Sequence, residues 1–346
     1  MKITELDKNF NLANISADIE VKYYDVSEEP FRLFGVSYYE DGYKRMPEEE
    51  AAKVSPAVKY MCGNCAGGRV TFRTNSKFVA VVAKMCKVAK TSHFTTLGRC
   101  GFDLYSNGRY AKSFVPEYDV PDDYDGIATF NDGEMREIVI NFPTYSGVRS
   151  LMIGLEPSAV VEPFNPYRAV APIVYYGSSI TQGGCVSRPG NTYQGEIARR
   201  NKIDFINLGF SGNAMGEPAM AEYIAGLKMS AFVMDYDYNA PSVEHLEKTH
   251  EPFYKIVREK NPDLPVIMVS MPVFIENGNT AKRRDVIYNT YINAKNRGEN
   301  VAFVDGKSFF EGVPREFGTV DGCHPNDFGF YMMAETLGKV IDEKIG

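Results

Sequence analysis

Tyr175-Tyr176-Gly177-Ser178-Ser179-Ile180-Thr181-Gln182-Gly183 is the stretch that decides how this chain reads. Pro172-Ile173-Val174 precedes it, an apolar β-branched run that reads as a buried strand. Residues 192–201 follow and read as a helix. A small residue, a serine and a glycine-bounded turn at the carboxyl end of a parallel strand mark the place where an α/β sheet carries its chemistry. Ser179 at that mouth is a nucleophile candidate, provided a base exists elsewhere in the chain. Asp321-Gly322-Cys323-His324-Pro325-Asn326, on a loop just before the last helix, supplies one.

Working outward from the serine turn, apolar runs at 173–176, 205–208, 231–235, 265–270 and 301–304 alternate with helical stretches. Those helices are expected near 192–201, 218–228, 243–260, 280–297 and 327–344. A five-fold βα pattern implies a parallel sheet covered on both faces and joined by right-handed crossovers. Upstream the character differs. Gly68-Arg69-Val70-Thr71-Phe72-Arg73-Thr74 alternates apolar and polar residues, as a half-buried strand does. Further short strands are expected at 77–84, 102–105, 136–142 and 150–155, with Asn107-Gly108 as a hairpin turn and a short helix within 47–59. That is the pattern of a jelly-roll β-sandwich. Pro157, Pro163, Pro166 and Pro172 punctuate the connector. The division expected is therefore an all-β domain over 1–165 and an α/β domain over 172–346. The length of 346 residues also suggests two domains.

Composition narrows the function classes. A net charge of −7 gives no basic footprint for nucleic acid or an anionic membrane. No run of about 18 apolar residues exists to span a bilayer. The start, Met1 to Asp7, lacks the apolar core of a signal peptide, so a cytoplasmic location is expected. Cys62-Gly63-Asn64-Cys65 is a CxxC without a second ligand pair, and its glycines say turn. Free thiols in a loop are the reading of Cys62 and Cys65, and no cofactor or metal is required.

Three further loops leave the strand ends. Asn207-Leu208-Gly209-Phe210-Ser211-Gly212-Asn213 is a glycine-rich turn whose backbone N–H groups can face the same crevice. Asp235-Tyr236-Asp237-Tyr238-Asn239 ends in a side-chain amide, and Asp321 and His324 lie three residues apart. The set contains the parts of acyl transfer. Ser179 attacks, His324 moves the proton, Asp321 fixes the imidazole tautomer, and Ser179 N–H, Gly212 N–H and the Asn239 amide hold the oxyanion. Arg188, between the nucleophile turn and its helix, is a lesser candidate for the substrate mouth. His245 and His250 lie on a charged helix and read as solvated, and His93 reads as structural or exposed.

Gly177-Ser178-Ser179-Ile180-Thr181 resembles the nucleophile block of the SGNH (GDSL) hydrolases. Gly212 and Asn239 fall where that family's oxyanion residues lie, and Asp321-x-x-His324-Pro325 resembles its closing block. The resemblance spans about residues 172–346 and implies a flavodoxin-like three-layer sheet and a serine esterase. The upstream half resembles the jelly-roll domain of carbohydrate-esterase-like members, which implies a short acyl group, acetyl foremost, on a sugar or oligosaccharide. A lipid acylhydrolase or thioesterase, or a non-catalytic glycan binder, are the other classes. Ser178 stands where the family carries Asp, and Asp237-Tyr238-Asn239-Ala240 departs from its G-x-N-D block. The G-x-S-x-G elbow of α/β-hydrolases is absent.

Overall fold

The computed structural model describes residues 19–88, 90–116 and 123–345. The chain start that was read for a leader lies outside them. Two antiparallel sheets come first. One orders its strands β1 (Lys22–Asp25), β11 (Gly147–Leu155), β6 (Phe78–Cys86) and β9 (Asp123–Thr129). The other orders β12 (Val161–Glu162), β5 (Arg69–Thr74), β10 (Arg136–Asn141), β7 (Phe102–Ser106) and β8 (Arg109–Phe114), with β2 (Arg32–Phe34) also on β5. A small hairpin joins β3 (Ser37–Tyr39) to β4 (Gly42–Lys44). Alternation explains the pairing of faces. Val70 and Phe72 of β5, Val79 and Val81 of β6, and Ile138 and Ile140 of β10 all enter one buried cluster between the sheets. The β-sandwich is as the sequence suggests.

The carboxyl half is a five-stranded parallel sheet. Its order is β14 (Phe205–Gly209), β13 (Ile173–Gly177), β15 (Ala231–Asp235), β16 (Val266–Val269) and β17 (Val301–Val304). In sequence order this is 2-1-3-4-5, the flavodoxin-like arrangement, whose crevice opens at the carboxyl ends of the strands where the order reverses. Every residue of β13 is buried because both faces are covered. Val174 and Tyr176 enter one core layer, Ile173 and Tyr175 the other.

The first layer holds α6 (Pro218–Ala225), α7 (Val243–Lys260) and α8 (Thr280–Asn296), and the second holds α5 (Tyr193–Asn201) and α9 (Asp327–Ile345). The helix expected within 47–59 forms as α1 (Glu48–Val54) and α2 (Pro56–Met61). Ala51 and Val58 belong to the first layer of the α/β half rather than to the sandwich. One expectation about α7 fails. His250 is only 1% exposed, and its Nδ1 lies 2.9 Å from Thr290 Oγ1. It faces α8 because it falls on the apolar stripe with Leu246, Phe253 and Val257. The remaining helix, α3 (Thr96–Cys100), sits in the sandwich, and α4 (Ser179–Gln182) follows β13 directly.

No helix among the described residues is long and apolar enough to cross a membrane. Cys62 and Cys65 are free thiols and both buried, Cys62 at the end of α2.

Candidate active site

The turn after β13 is fixed by its small residues. A Cβ on Gly177 would lie 2.2 Å from Asp235 O and 2.1 Å from Thr181 Oγ1, so only glycine lets α4 start so close to β15. Ser178 then caps α4, its Oγ accepting from Ile180 N at 3.2 Å. This accounts for a serine at the position where the family block carries Asp. Gly183, at φ +100, ends the helix after one turn. Ser179 is thereby the first helical residue, with its hydroxyl at the crevice.

The loop 321–326 brings the other groups. Asp321 Oδ1 accepts from Cys323 N at 2.9 Å and His324 N at 2.7 Å, while Oδ2 lies 2.7 Å from His324 Nδ1. His324 Nε2 lies 2.9 Å from Ser179 Oγ. Gly322 adopts φ +82, and Thr319 Oγ1 both accepts from Gly322 N and donates to His324 O. The loop is therefore self-bonded before α9 begins. Burial acts to raise the Asp321 carboxyl, but hydrogen bonds from the His324 amide and ring and the Cys323 amide prevail, lowering it to about 2. For His324 burial favours the neutral ring, while the bonds to Cys323 and Asp321 favour the cation and bring it to about 8.

The glycine-rich turn is stitched to the same place. Phe210 N donates to Gly177 O, and Ser211 N donates to Gln182 Oε1 at 2.9 Å. Gly212 has φ +69 with open space where a side chain would stand. Asn239 ends a 3₁₀ turn after β15 and donates through Nδ2 to Phe210 O at 2.9 Å. One of its two amide hydrogens is thus committed to the turn carrying Gly212. Arg188, the candidate for the substrate mouth, reaches toward the sandwich. Its Nη1 lies 3.2 Å from the fully buried Asp103 Oδ2 and 2.7 Å from Tyr105 OH, both in the sandwich. It serves as a strut across the seam.

Residues of the sandwich that sequence reading left out of the site also meet here. His93 Nε2 is 3.6 Å from Asp321 Oδ2, and its ring centroid is 5.8 Å from that of His324. Phe94 packs edge-on to His324 at 5.6 Å and to Tyr145 at 4.6 Å. Tyr145 OH donates to Ser179 O at 3.2 Å, and Gln182 Nε2 donates to Thr144 O at 3.2 Å. Arg45, 4% exposed, donates to Gly209 O at 2.7 Å and Asn207 O at 3.1 Å, beneath the glycine turn. No local periodicity marks these positions. They are assembled by contacts across 34 to 231 residues of chain.

The profile of the GDSL-like lipase/acylhydrolase family matches residues 170–342, and that of the N-terminus of SGNH-hydrolase-type esterases matches 21–161. The chain belongs to the GDSL-like lipase/acylhydrolase family. A protein assigned as a GDSL-like lipase from Bacteroides ovatus ATCC 8483 is 29% identical, with a TM-score of 0.84 over 94% of this chain and 98% of that one. The salicylyl-acyltransferase SsfX3 of a tetracycline biosynthetic pathway shares the fold at 18% identity, TM-score 0.79, covering 94% and 99%. So does a family two carbohydrate esterase from Clostridium thermocellum, solved with cellohexaose, at 16% identity, TM-score 0.63, covering 91% and 99%. No curated protein matches the sequence significantly. GDSL-family membership makes this chain an acylhydrolase-type enzyme with two of its family's building blocks in tandem.

Proposed function

We propose that this GDSL-family protein is a serine esterase that removes a short acyl group, acetyl foremost, from a sugar or oligosaccharide. In this reading residues 172–346 are the catalytic domain and 1–165 the sandwich that braces it. The carrying observation is the continuous relay from Ser179 Oγ through the His324 ring to Asp321, with links of 2.9 and 2.7 Å. Neutral His324 accepts the Ser179 proton as Oγ attacks the ester carbonyl, then returns it to the departing alcohol. Asp321 holds the Nδ1–H tautomer and stabilises the imidazolium. The N–H groups of Ser179 and Gly212 and the other amide hydrogen of Asn239 receive the oxyanion, each such donor contributing about 100- to 1000-fold in rate. Water admitted to the same base then hydrolyses the acyl-enzyme.

Support for a short acyl group comes from Phe94 and Tyr145, which close one side of His324 and the Ser179 turn with aromatic bulk. The sugar preference rests on the resemblance to carbohydrate esterases. Hydrolysis of p-nitrophenyl acetate, butyrate and octanoate, with Ser179→Ala as blank, tests both parts. Turnover fastest on acetate and absent from the variant is expected, followed by acetate release from acetylated oligosaccharides. Rates that climb toward octanoate would transfer the assignment to a lipid-type acylhydrolase. Wild type no faster than the blank on all three esters would remove the catalytic assignment.

A further inference from the structure

Two side chains beside the relay have no part in acyl transfer. His93 reaches in from the sandwich, and Cys185 follows the nucleophile turn, 6% exposed, with its Sγ 3.8 Å from His93 O. Together with Asp321 and His324 they place one nitrogen, one sulfur, one oxygen and one nitrogen within 4.8 Å of one another. A tetrahedral zinc site with bonds of about 2.0–2.3 Å has ligand–ligand edges of about 3.3–3.8 Å. The His93 Nε2 to Asp321 Oδ2 separation is already 3.6 Å. The longest edge closes by about 1 Å, a movement within reach of the exposed His93 ring.

We propose that His93, Cys185, Asp321 and His324 form a site for a zinc-class divalent cation that silences the relay when filled. The donor set of two imidazoles, a thiolate and a carboxylate selects borderline-soft ions over magnesium or calcium. A thiolate and a carboxylate also neutralise the charge of the cation. The His324 nitrogen that faces Asp321 Oδ2 is Nδ1, so a cation shared with that oxygen takes Nδ1. Binding breaks the Cys185 S–H bond, whose proton goes to solvent, and moves the ring proton of His324 from Nδ1 to Nε2. Nε2 then donates toward Ser179 and has no lone pair to accept its proton. The ion acts by fixing the wrong tautomer rather than by filling the substrate mouth.

The inhibitory consequence rests on the serine-esterase reading, whereas occupancy of the site does not. Two readouts separate them. Purified full-length protein is stripped with chelator and titrated with buffered Zn²⁺ while p-nitrophenyl acetate hydrolysis is followed. A second sample is titrated with Co²⁺ and scanned for the sulfur-to-cobalt charge-transfer band that a thiolate ligand produces. Expected are reversible inhibition at micromolar free Zn²⁺ that falls on kcat, and a cobalt–thiolate band. Cys185→Ser is expected to keep basal turnover, and His93→Gln and Cys185→Ser are each expected to lose at least about 10- to 100-fold in Zn²⁺ sensitivity. The cobalt band is expected to vanish in Cys185→Ser. Equal Zn²⁺ inhibition in both variants, or a band lost only in Cys323→Ser, would overturn the proposal. Turnover without any cobalt–thiolate band in the wild type would overturn it too, and leave the esterase reading intact. A cobalt band that depends on Cys185, in a protein that hydrolyses no ester, would support the site and remove the esterase assignment.

Discussion

Gly184 offers the most exacting test of the proposed relay. A Cβ built on it lies 3.1 Å from each of His324 Cδ2, Phe94 Cζ and Ser179 O. Comfortable carbon contacts begin near 3.5 Å, so Gly184→Ala requires a displacement of about 0.4 Å. Phe94 is backed by Tyr145, and Ser179 O already accepts from Tyr145 OH, so neither retreats freely. The His324 ring is tethered to Asp321 at Nδ1 and yields by pivoting there. Pivoting carries Nε2 away from Ser179 Oγ, stretching the 2.9 Å link to about 3.3 Å, past the ordinary limit for such a bond. A misplacement of about 1 Å costs about 100-fold, so about 0.4 Å is expected to cost several-fold to tenfold. Steady-state kinetics on p-nitrophenyl acetate, with a thermal melt alongside, reads the outcome. The loss is expected in kcat with KM and melting temperature little changed. A kcat within twofold of wild type, or a loss confined to KM, would refute the claim that Gly184 sets the His324 position.

Other consequences are open to measurement. In chelator-treated protein, kcat/KM is expected to fall as pH drops through about 8, because the raised His324 is then increasingly protonated and cannot accept from Ser179. A profile flat from pH 6 to 9 contradicts a His324 base. Asp321→Asn keeps the shape but favours the wrong tautomer, and a fall in kcat of about 10⁴-fold is expected. Arg188→Met strands the buried Asp103 carboxyl and is expected to cost about 3 kcal/mol of stability in denaturant melts while sparing kcat; a normal melt with raised KM would return Arg188 to the substrate mouth. Burial, aided by neighbouring Asp237, raises Asp235 from 3.8 to about 8, so its stabilising contribution is full below about pH 4 and lost as pH rises through 8. Asp235→Asn can still accept from Thr181 and Tyr193, and its melting-temperature advantage over wild type should grow from pH 5 to pH 8.

What could be read from the chain followed the range of the underlying forces. The parallel sheet was legible because strands buried on both faces are continuous apolar runs, and β13 through β17 fall on those predicted. The meeting of Ser179, Asp321 and His324 follows from the sheet, because Ser179 comes just after β13, the 321–326 loop comes after β17, and parallel strands send such connections to one edge. His93, Phe94, Tyr145 and Arg45 were not legible. Each is an ordinary residue in the sandwich half, and its placement depends on docking between the halves, which leaves no periodic trace. His250 was misread for a related reason. Lys and Glu dominate its neighbourhood in sequence, but its contacts are with Thr290 on α8 and the Tyr236 ring. The pairing of Arg188 with Asp103, 85 residues upstream, likewise leaves no trace in the local sequence.

The tethers from Thr144, Tyr145 and Arg45 to the Ser179 and glycine turns bear on how such a protein can be recombined. Grafting the α/β half onto a foreign sandwich would sever the supports of Gln182, Ser179 O and Gly209 O at once. A viable chimaera must therefore inherit the seam as a matched set, and the two halves are expected to diversify in step rather than shuffle as interchangeable cassettes.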